Sequence, residues 1–265
     1  MDKNKYNFSD LQDKPILIVG GMGLIGKVLA KGFSSSGSKL IIADVNTDQK
    51  FLEKVNTSSK NKVIFYKFDT TKEKSIDELI EFSCQKMGKI EVFINCSWPK
   101  TEDWSKNVEE MPYSSVEKNL AMHLGGYYHC TQKIAVYMKN KSPQGGNIIN
   151  FSSIYGTVAP TFSIYNNTEM TSPSPYALIK GGVNMMTKYF ASYFGKYDIR
   201  VNCISPGGVK ANQNPDFIKN YEKLTPLGRM ASPDDLVGPT LFLASDISGY
   251  ITGHNLLVDG GWTIH

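Results

Sequence analysis

Apolar runs of strand length recur along the chain, and stretches of helical spacing fall between them. The runs are 15–20 (PILIVG), 39–44 (KLIIAD), 62–68 (KVIFYKF), 91–95 (EVFIN), 147–151 (NIINF), 199–204 and 255–258. Helical spacing covers 23–35, 75–87, 114–140, 176–194 and 233–244. Strands that are apolar throughout are buried on both faces, and crossover helices are what bury them. The pattern predicts an α/β fold: a doubly wound parallel sheet of about seven strands with helices on both faces. The alternation never breaks, so a single domain is expected over 1–265, with 1–13 a flexible N-terminal extension. Two stretches, 157–175 and 207–232, lack periodicity; aperiodic loops of that length inside a domain are usually functional. The second is expected to be a substrate loop.

Composition removes several function classes. Net charge is +4, but only Arg200 and Arg229 are arginines and the lysines are scattered singly. A nucleic-acid binder clusters its basic residues and uses arginine forks, so no nucleic acid is expected. No run is long enough to span a membrane, and the polar first residues contain no apolar signal segment, so a cytoplasmic protein is expected. The cysteines Cys84, Cys96, Cys130 and Cys203 form no CxxC pair. Reduced thiols, and no metal, are expected in that compartment.

Between the first run and the first helix stands Val19-Gly20-Gly21-Met22-Gly23-Leu24-Ile25-Gly26. Glycines there permit a tight turn, close approach of the backbone to a pyrophosphate, and close packing of helix on strand. The amides opening the helix, around Leu24 and Ile25, then face the phosphates. Asp44 ends the second run, with Val45 beside it. A carboxylate at that place can accept both ribose hydroxyls and repels a 2′-phosphate, which predicts NAD; Lys27 nearby leaves NADP open. The plain structural alternative is a glycine turn with Asp44 as a strand-end cap. Asp69, Thr70 and Asn95 end later runs and trace the carboxyl edge of the sheet, where ligands bind in such folds.

Ser152 and Ser153 follow the fifth run. Tyr176 and Lys180, in SPYALIK, are one helical turn apart on one face. A free phenol titrates near 10, and a cation one turn away is expected to lower that value. Such a tyrosine can exchange a proton with an alcohol or carbonyl oxygen while a nicotinamide exchanges hydride with the carbon. Tyr137 and Lys141 share the spacing but lack the serine-tipped strand.

With these residues in place the sequence resembles the short-chain dehydrogenase/reductase family over about residues 13–265. The resemblance rests on VGGMGLIG, Asp44, Asp69-Thr70, Asn95-Cys96-Ser97, Ser153, Tyr176 and Lys180, NCISPG ending at Pro206-Gly207, and Asp259-Gly260-Gly261. It implies one Rossmann-type NAD(P)-binding domain, hydride transfer, and a homodimer or homotetramer. Tyr176 would be the acid/base, Ser153 would position the substrate, and Lys180 would hold the nicotinamide ribose and tune the tyrosine. Cys96, Ser97, Pro206, Gly207 and Val209 would line the cofactor.

Three departures stand out. The glycine spacing, with Leu24 in place of a glycine, looks like that of the extended sugar epimerases. His123 occupies the slot of a family asparagine on the long helix, with Asn119 one turn earlier; either could supply its role. The stretch between Ser153 and Tyr176 is longer than in many members, and the hydroxyl and amide groups of its extra residues, 159–175, suit a polyhydroxylated substrate. The segments HLGGYYHCTQ, NIINFSSIYGTVAPTF, EMTSPSPYALIKGG and RVNCISPGGV are similar to bacterial oxidoreductases of flagellin modification and surface-polysaccharide biosynthesis. The expected function is therefore NAD(P)-dependent oxidation or reduction of a secondary alcohol or ketone. The expected substrate is a sugar, a sugar phosphate or a nucleotide sugar, with Lys210 or Arg229 available to a phosphate. Two alternatives stay open: a nucleotide-sugar epimerase or dehydratase with retained NAD, and a non-catalytic cofactor sensor.

Overall fold

A computed structural model describes residues 8–57, 59–142 and 144–264. Its centre is one sheet of seven parallel strands: β1 (Pro15–Val19), β2 (Lys39–Asp44), β3 (Ile64–Lys67), β4 (Val92–Asn95), β5 (Gly146–Phe151), β6 (Ile199–Pro206) and β7 (Asn255–Val258). Their spatial order is β3-β2-β1-β4-β5-β6-β7. The order reverses between β1 and β4, where Val19 registers with Asn95. At such a reversal the connections leave in opposite directions and open a crevice at the carboxyl ends.

Alternate strand residues feed two cores. Leu17, Val19, Ile41, Phe93, Ile148 and Val201 pack on one side against α3 (Ser75–Met87), α5 (Gly126–Lys141) and α6 (Ser174–Phe194). Ile16, Ile18, Ile42, Ile94, Ile149 and Ile204 pack on the other against α1 (Leu24–Ser35), α2 (Gln49–Thr57) and α8 (Val237–Ala244). This period-two division explains why the strands read as continuous apolar runs: in the five inner strands both faces are covered, and only the edge strands β3 and β7 are part-exposed.

The elements differ from expectation in identifiable places. α2 was not expected; Asp48 caps it by accepting from the Phe51 amide at 3.0 Å. The helix expected over 114–140 comes in three pieces: α4 (Tyr113–Asn119), a wider π turn (Leu120–Gly125) and α5. The segment 207–232 is not wholly aperiodic. It carries α7 (Pro215–Leu224), opened by an Asn214 cap on the Asp216 amide at 2.8 Å and a proline in its first turn. Those are ordinary helix-start signals. The helix expected from 233 begins as a short turn (Pro233–Leu236) before α8.

The expected N-terminal extension also needs correction. Residues 1–7 lie outside the described residues, but 8–13 are docked. Leu11 is fully buried, and Asp10 accepts from Lys14 at 2.9 Å and from the Ser245 hydroxyl at 2.8 Å. Among the described residues no helix is long and apolar enough to cross a membrane. Leu11→Ala removes a core side chain and is expected to lower the unfolding free energy by about 2–5 kcal/mol in a urea titration; a change within error would mean that this turn is not part of the core.

Candidate active site

The crevice is a cleft of about 590 Å³ running along the carboxyl edge of the sheet. At one end lie the glycine turn and Asp44; at the other lie Ser153, Tyr176 and Lys180.

The glycines divide their work. Gly20 has φ +77°, a left-handed conformation, and a Cβ there would strike the Cys96–Ser97 backbone. Gly21 leaves room for Ile42, and Gly26 lets α1 lie against the Gly20 carbonyl and the Gly21 backbone. Gly20, Gly23, Leu24 and Ile25 line the cleft, whereas Gly21 and Gly26 pack behind it. Asp44 is tied into this turn. One carboxylate oxygen accepts from the Met22 amide at 3.0 Å and the other from the Asn46 amide at 3.0 Å. Each oxygen retains a lone pair, and the carboxylate borders the cleft with Val45 and Asn46. Lys27 forms an ion pair with Asp48 at 2.6 Å and is absent from the cleft wall.

Asp69 and Thr70 line the same end. Asp69 accepts from both the amide and the hydroxyl of Thr71, at 3.0 and 2.7 Å. Gly126 allows its helix to approach the Thr70 carbonyl, at 3.3 Å from the place of a Cβ. Asn95 does not reach the cleft. It is fully buried, and its side-chain oxygen accepts from the Ser97 amide and hydroxyl, at 3.2 and 2.8 Å. Cys96 and Ser97 do border it; burial pushes the Cys96 thiol up to about 12, so it stays protonated. Pro206, Gly207 and Val209 form the opposite wall. The residues at this end fit a dinucleotide: a glycine-rich backbone turn, helix amides and a carboxylate beyond them.

The other end holds the chemistry. Ser153 accepts from the Tyr155 amide at 3.2 Å, and its hydroxyl lies near enough to Tyr176 to favour the phenolate. Lys180 is buried; its ammonium donates to the Phe151 carbonyl at 2.9 Å and lies 3.3 Å from His123 Nε2. The π turn places His123 there, fully buried, with Nδ1 lacking a partner. Asn119 does not reach Lys180. It is bound to Thr101 and Ser115, at 2.8 Å from the Thr101 hydroxyl and 3.1 Å from its amide. Of the two residues that could fill the family asparagine slot, His123 is the one beside the lysine. Burial holds its imidazole well below the usual range, so it is a neutral acceptor, and the Lys180 charge works in the same direction.

The expected lowering of the tyrosine by the lysine is not found. Burial pushes Tyr176 up to about 12, against the lowering by Ser153, and drops Lys180 to about 7. The lysine nitrogen is 5.8 Å from the phenol ring centre, and aromatic rings surround the phenol. At neutral pH Tyr176 is therefore a neutral phenol that can donate a proton.

Several residues of the cleft wall were missed. Met22, Asn46, Trp98, Tyr155, Gln213, Phe217 and Tyr221 all line it. The aromatic residues just after Asn95-Cys96-Ser97 and Ser153 were the available signal. The polar stretch 159–175 supplies no residue to the wall. Its Ile164 and Tyr165 pack instead against Phe217, so it braces α7. Arg229 is bound to Asp235 at 2.6 and 3.0 Å, and Lys210 is not in the wall. Tyr137 accepts from the Ile90 amide at 3.3 Å, away from the cleft.

The lysine provides a stability test. The unfolded chain protonates it up to its ordinary value of 10.5, the folded chain only up to about 7. Between those values the unfolded state binds more protons, so stability from this group rises with pH and its full penalty applies below the lower value. Lys180→Met is expected to raise Tm most near about pH 6, with the gain shrinking toward about pH 10. A gain that does not change with pH would contradict the burial of an uncompensated ammonium.

Residues 23–263 match the family model described as enoyl-(acyl carrier protein) reductase. The chain is 35% identical over 255 residues to post-translational flagellin modification protein A of Campylobacter coli, covering 95% of this chain and 99% of that one. It is 30% identical over 263 residues to an L-rhamnose-1-dehydrogenase of Scheffersomyces stipitis, covering 95% and 96%. Its fold matches the crystal structure of a short-chain dehydrogenase from Leptospira borgpetersenii with bound NAD+, at TM-score 0.85 and 39% identity, over 97% and 96% of the two chains. The glycine turn, the Ser153-Tyr176-Lys180 group and these matches make the chain a member of the short-chain dehydrogenase/reductase family of oxidoreductases.

Proposed function

We propose that the protein is an NAD-dependent dehydrogenase/reductase acting on a secondary alcohol or ketone of a sugar, within the supply of precursors for a surface glycan. One observation carries the reaction type. The protonated Tyr176, with Ser153 beside it, stands at the end of a cleft whose other end is the glycine turn. The dinucleotide, when bound, supplies or accepts the hydride. Ser153 and Tyr176 hold the substrate oxygen, and in reduction Tyr176 gives its proton to it. Lys180 places its nitrogen near that phenol, and neutral His123 supports the lysine as an acceptor, a positioning role. NAD is preferred to NADP because Asp44 borders the cleft and Lys27 is held by Asp48. The relative named for NAD+ supports the same cofactor.

The sugar is supported by the relatives named for L-rhamnose and flagellin modification. The free cysteines among the described residues suit a reducing cytoplasm. Exposed Tyr128 and Val136 on α5, and Leu178, Met185, Tyr189 and Tyr193 on α6, form an apolar face that suits a homodimer or homotetramer. Light scattering is expected to give a multiple of 29.5 kDa; that mass itself would reject assembly.

The deciding experiment is a hydride-transfer screen with NAD+ and NADP+ over free sugars, sugar phosphates and nucleotide sugars. Turnover with NAD+ is expected, and Tyr176→Phe should cut it by at least about 100-fold while NADH still binds. A strong preference for NADP+ would sink the assignment to Asp44. Retained NAD with no net reduction would move the reading to epimerisation. His123→Ala is expected to lower turnover with cofactor binding kept.

A further inference from the structure

We propose that Trp98 is a substrate platform, on whose indole the C–H face of a pyranose ring rests while a ring carbon is presented to Tyr176. This rests on the sugar-dehydrogenase reading above. Three aromatic residues surround the Tyr176 ring. Trp104 and Tyr155 meet it edge-on, at 6.1 Å and 85° and at 6.3 Å and 88°. Trp98 lies parallel to it, at 5.6 Å and 11°. Trp104 is buried, but Trp98 is 57% exposed and borders the cleft. An indole held open to water beside the reacting group leaves a large apolar surface that a bound molecule can cover.

The loop that carries Trp98 is fixed before any ligand arrives. Pro99 has a fixed φ and restricts the backbone of Trp98 before it. The Thr101 amide donates to Asn119 Oδ1 at 3.1 Å, and Asn119 Nδ2 donates to the Thr101 hydroxyl at 2.8 Å. The Ser115 hydroxyl donates to Asp103 at 2.7 Å, joining the same loop to α4. Asn119, which does not serve the lysine, thus acts as an anchor for the Trp98 loop. Such preorganisation lowers the ordering cost of binding.

The chemistry selects the ligand class. An indole face is electron-rich. The C–H bonds of a pyranose, polarised by the neighbouring oxygens, turn positive hydrogens toward such a face. Its equatorial hydroxyls then point sideways to hydrogen-bonding groups. One flat ring of this area matches one sugar ring, not the extended apolar surface of a steroid.

The test uses the full-length enzyme, L-rhamnose and D-galactose as probe substrates, and cholic acid as the steroid control. With the sugar that the parent enzyme oxidises, Trp98→Ala is expected to raise KM about tenfold while kcat changes little, the signature of lost ground-state binding. Trp98→Phe should recover most of the loss, and the NADH Kd, read by cofactor fluorescence, should not move. Sugar oxidation with an unchanged KM in Trp98→Ala overturns the platform and leaves the proposed function standing. A weakened NADH Kd in that variant assigns the indole to the cofactor and also overturns it. Turnover of cholic acid with neither sugar oxidised removes the sugar reading and the platform together.

Discussion

The close approach of Gly20 to the Cys96–Ser97 backbone sets the geometry on which the rest depends. It is where β1 and β4 end side by side and where the sheet reverses its order. Any side chain at Gly20 would force those strand ends apart, and its positive φ would be strained in any other residue. Because the turn is that tight, the opening of α1 faces the cleft and Asp44 can accept from the Met22 amide. The same contact fixes the start of the loop that runs from Ser97 to Trp98. One backbone constraint therefore positions the cofactor end and one wall of the substrate end.

At that substrate end burial, rather than the tyrosine–lysine spacing alone, controls protonation. A cation one turn away lowers a phenol's pKa only when it is near enough to the oxygen to offset desolvation. Here the aromatic surround of Tyr176 prevails, and Lys180 itself loses affinity for its proton. The lysine has no carboxylate partner among the described ion pairs; it rests on the Phe151 carbonyl and His123. Burying that ammonium costs stability. Negative charge arriving with a dinucleotide would favour the ammonium, so binding and the charge state of Lys180 are linked.

The sheet was legible from sequence because strands buried on both faces leave continuous apolar runs, and all seven runs are strands within a few residues. Gly20, Asp44, Ser153, Tyr176 and Lys180 were legible too, since each sits next to a strand end or on one turn of helix. The π turn was not. Its hydrogen-bond register is a tertiary outcome, and only it separates His123, which reaches Lys180, from Asn119, which does not. Asn95 illustrates a second limit: a strand-end polar residue can order the turn beneath a ligand site without touching the ligand. α7 was overlooked although Asn214, Pro215 and the Phe217–Tyr221 spacing announce it.

The two stretches without clear periodicity turn out to be one structural unit. Ile154, Ile164, Phe217, Tyr221, Met230 and Trp262 form a small core of their own, separate from the two that flank the sheet. Tyr221 stacks on Trp262 at 4.1 Å and accepts from the Gly208 amide at 2.6 Å, linking α7 to the wall of the cleft. No residue of 159–175 lines the cleft, while Ile164 and Tyr165 within it pack on the core that carries α7. Few side chains then border the Tyr176 end of the cleft. The α7 side presents Phe217, Tyr221 and Gln213, and the opposite side presents Trp98 and Tyr155. A wall made of aromatic faces with few charges suits binding by shape and ring contact, with Ser153, Tyr176 and the backbone around Gly207 as polar groups within it.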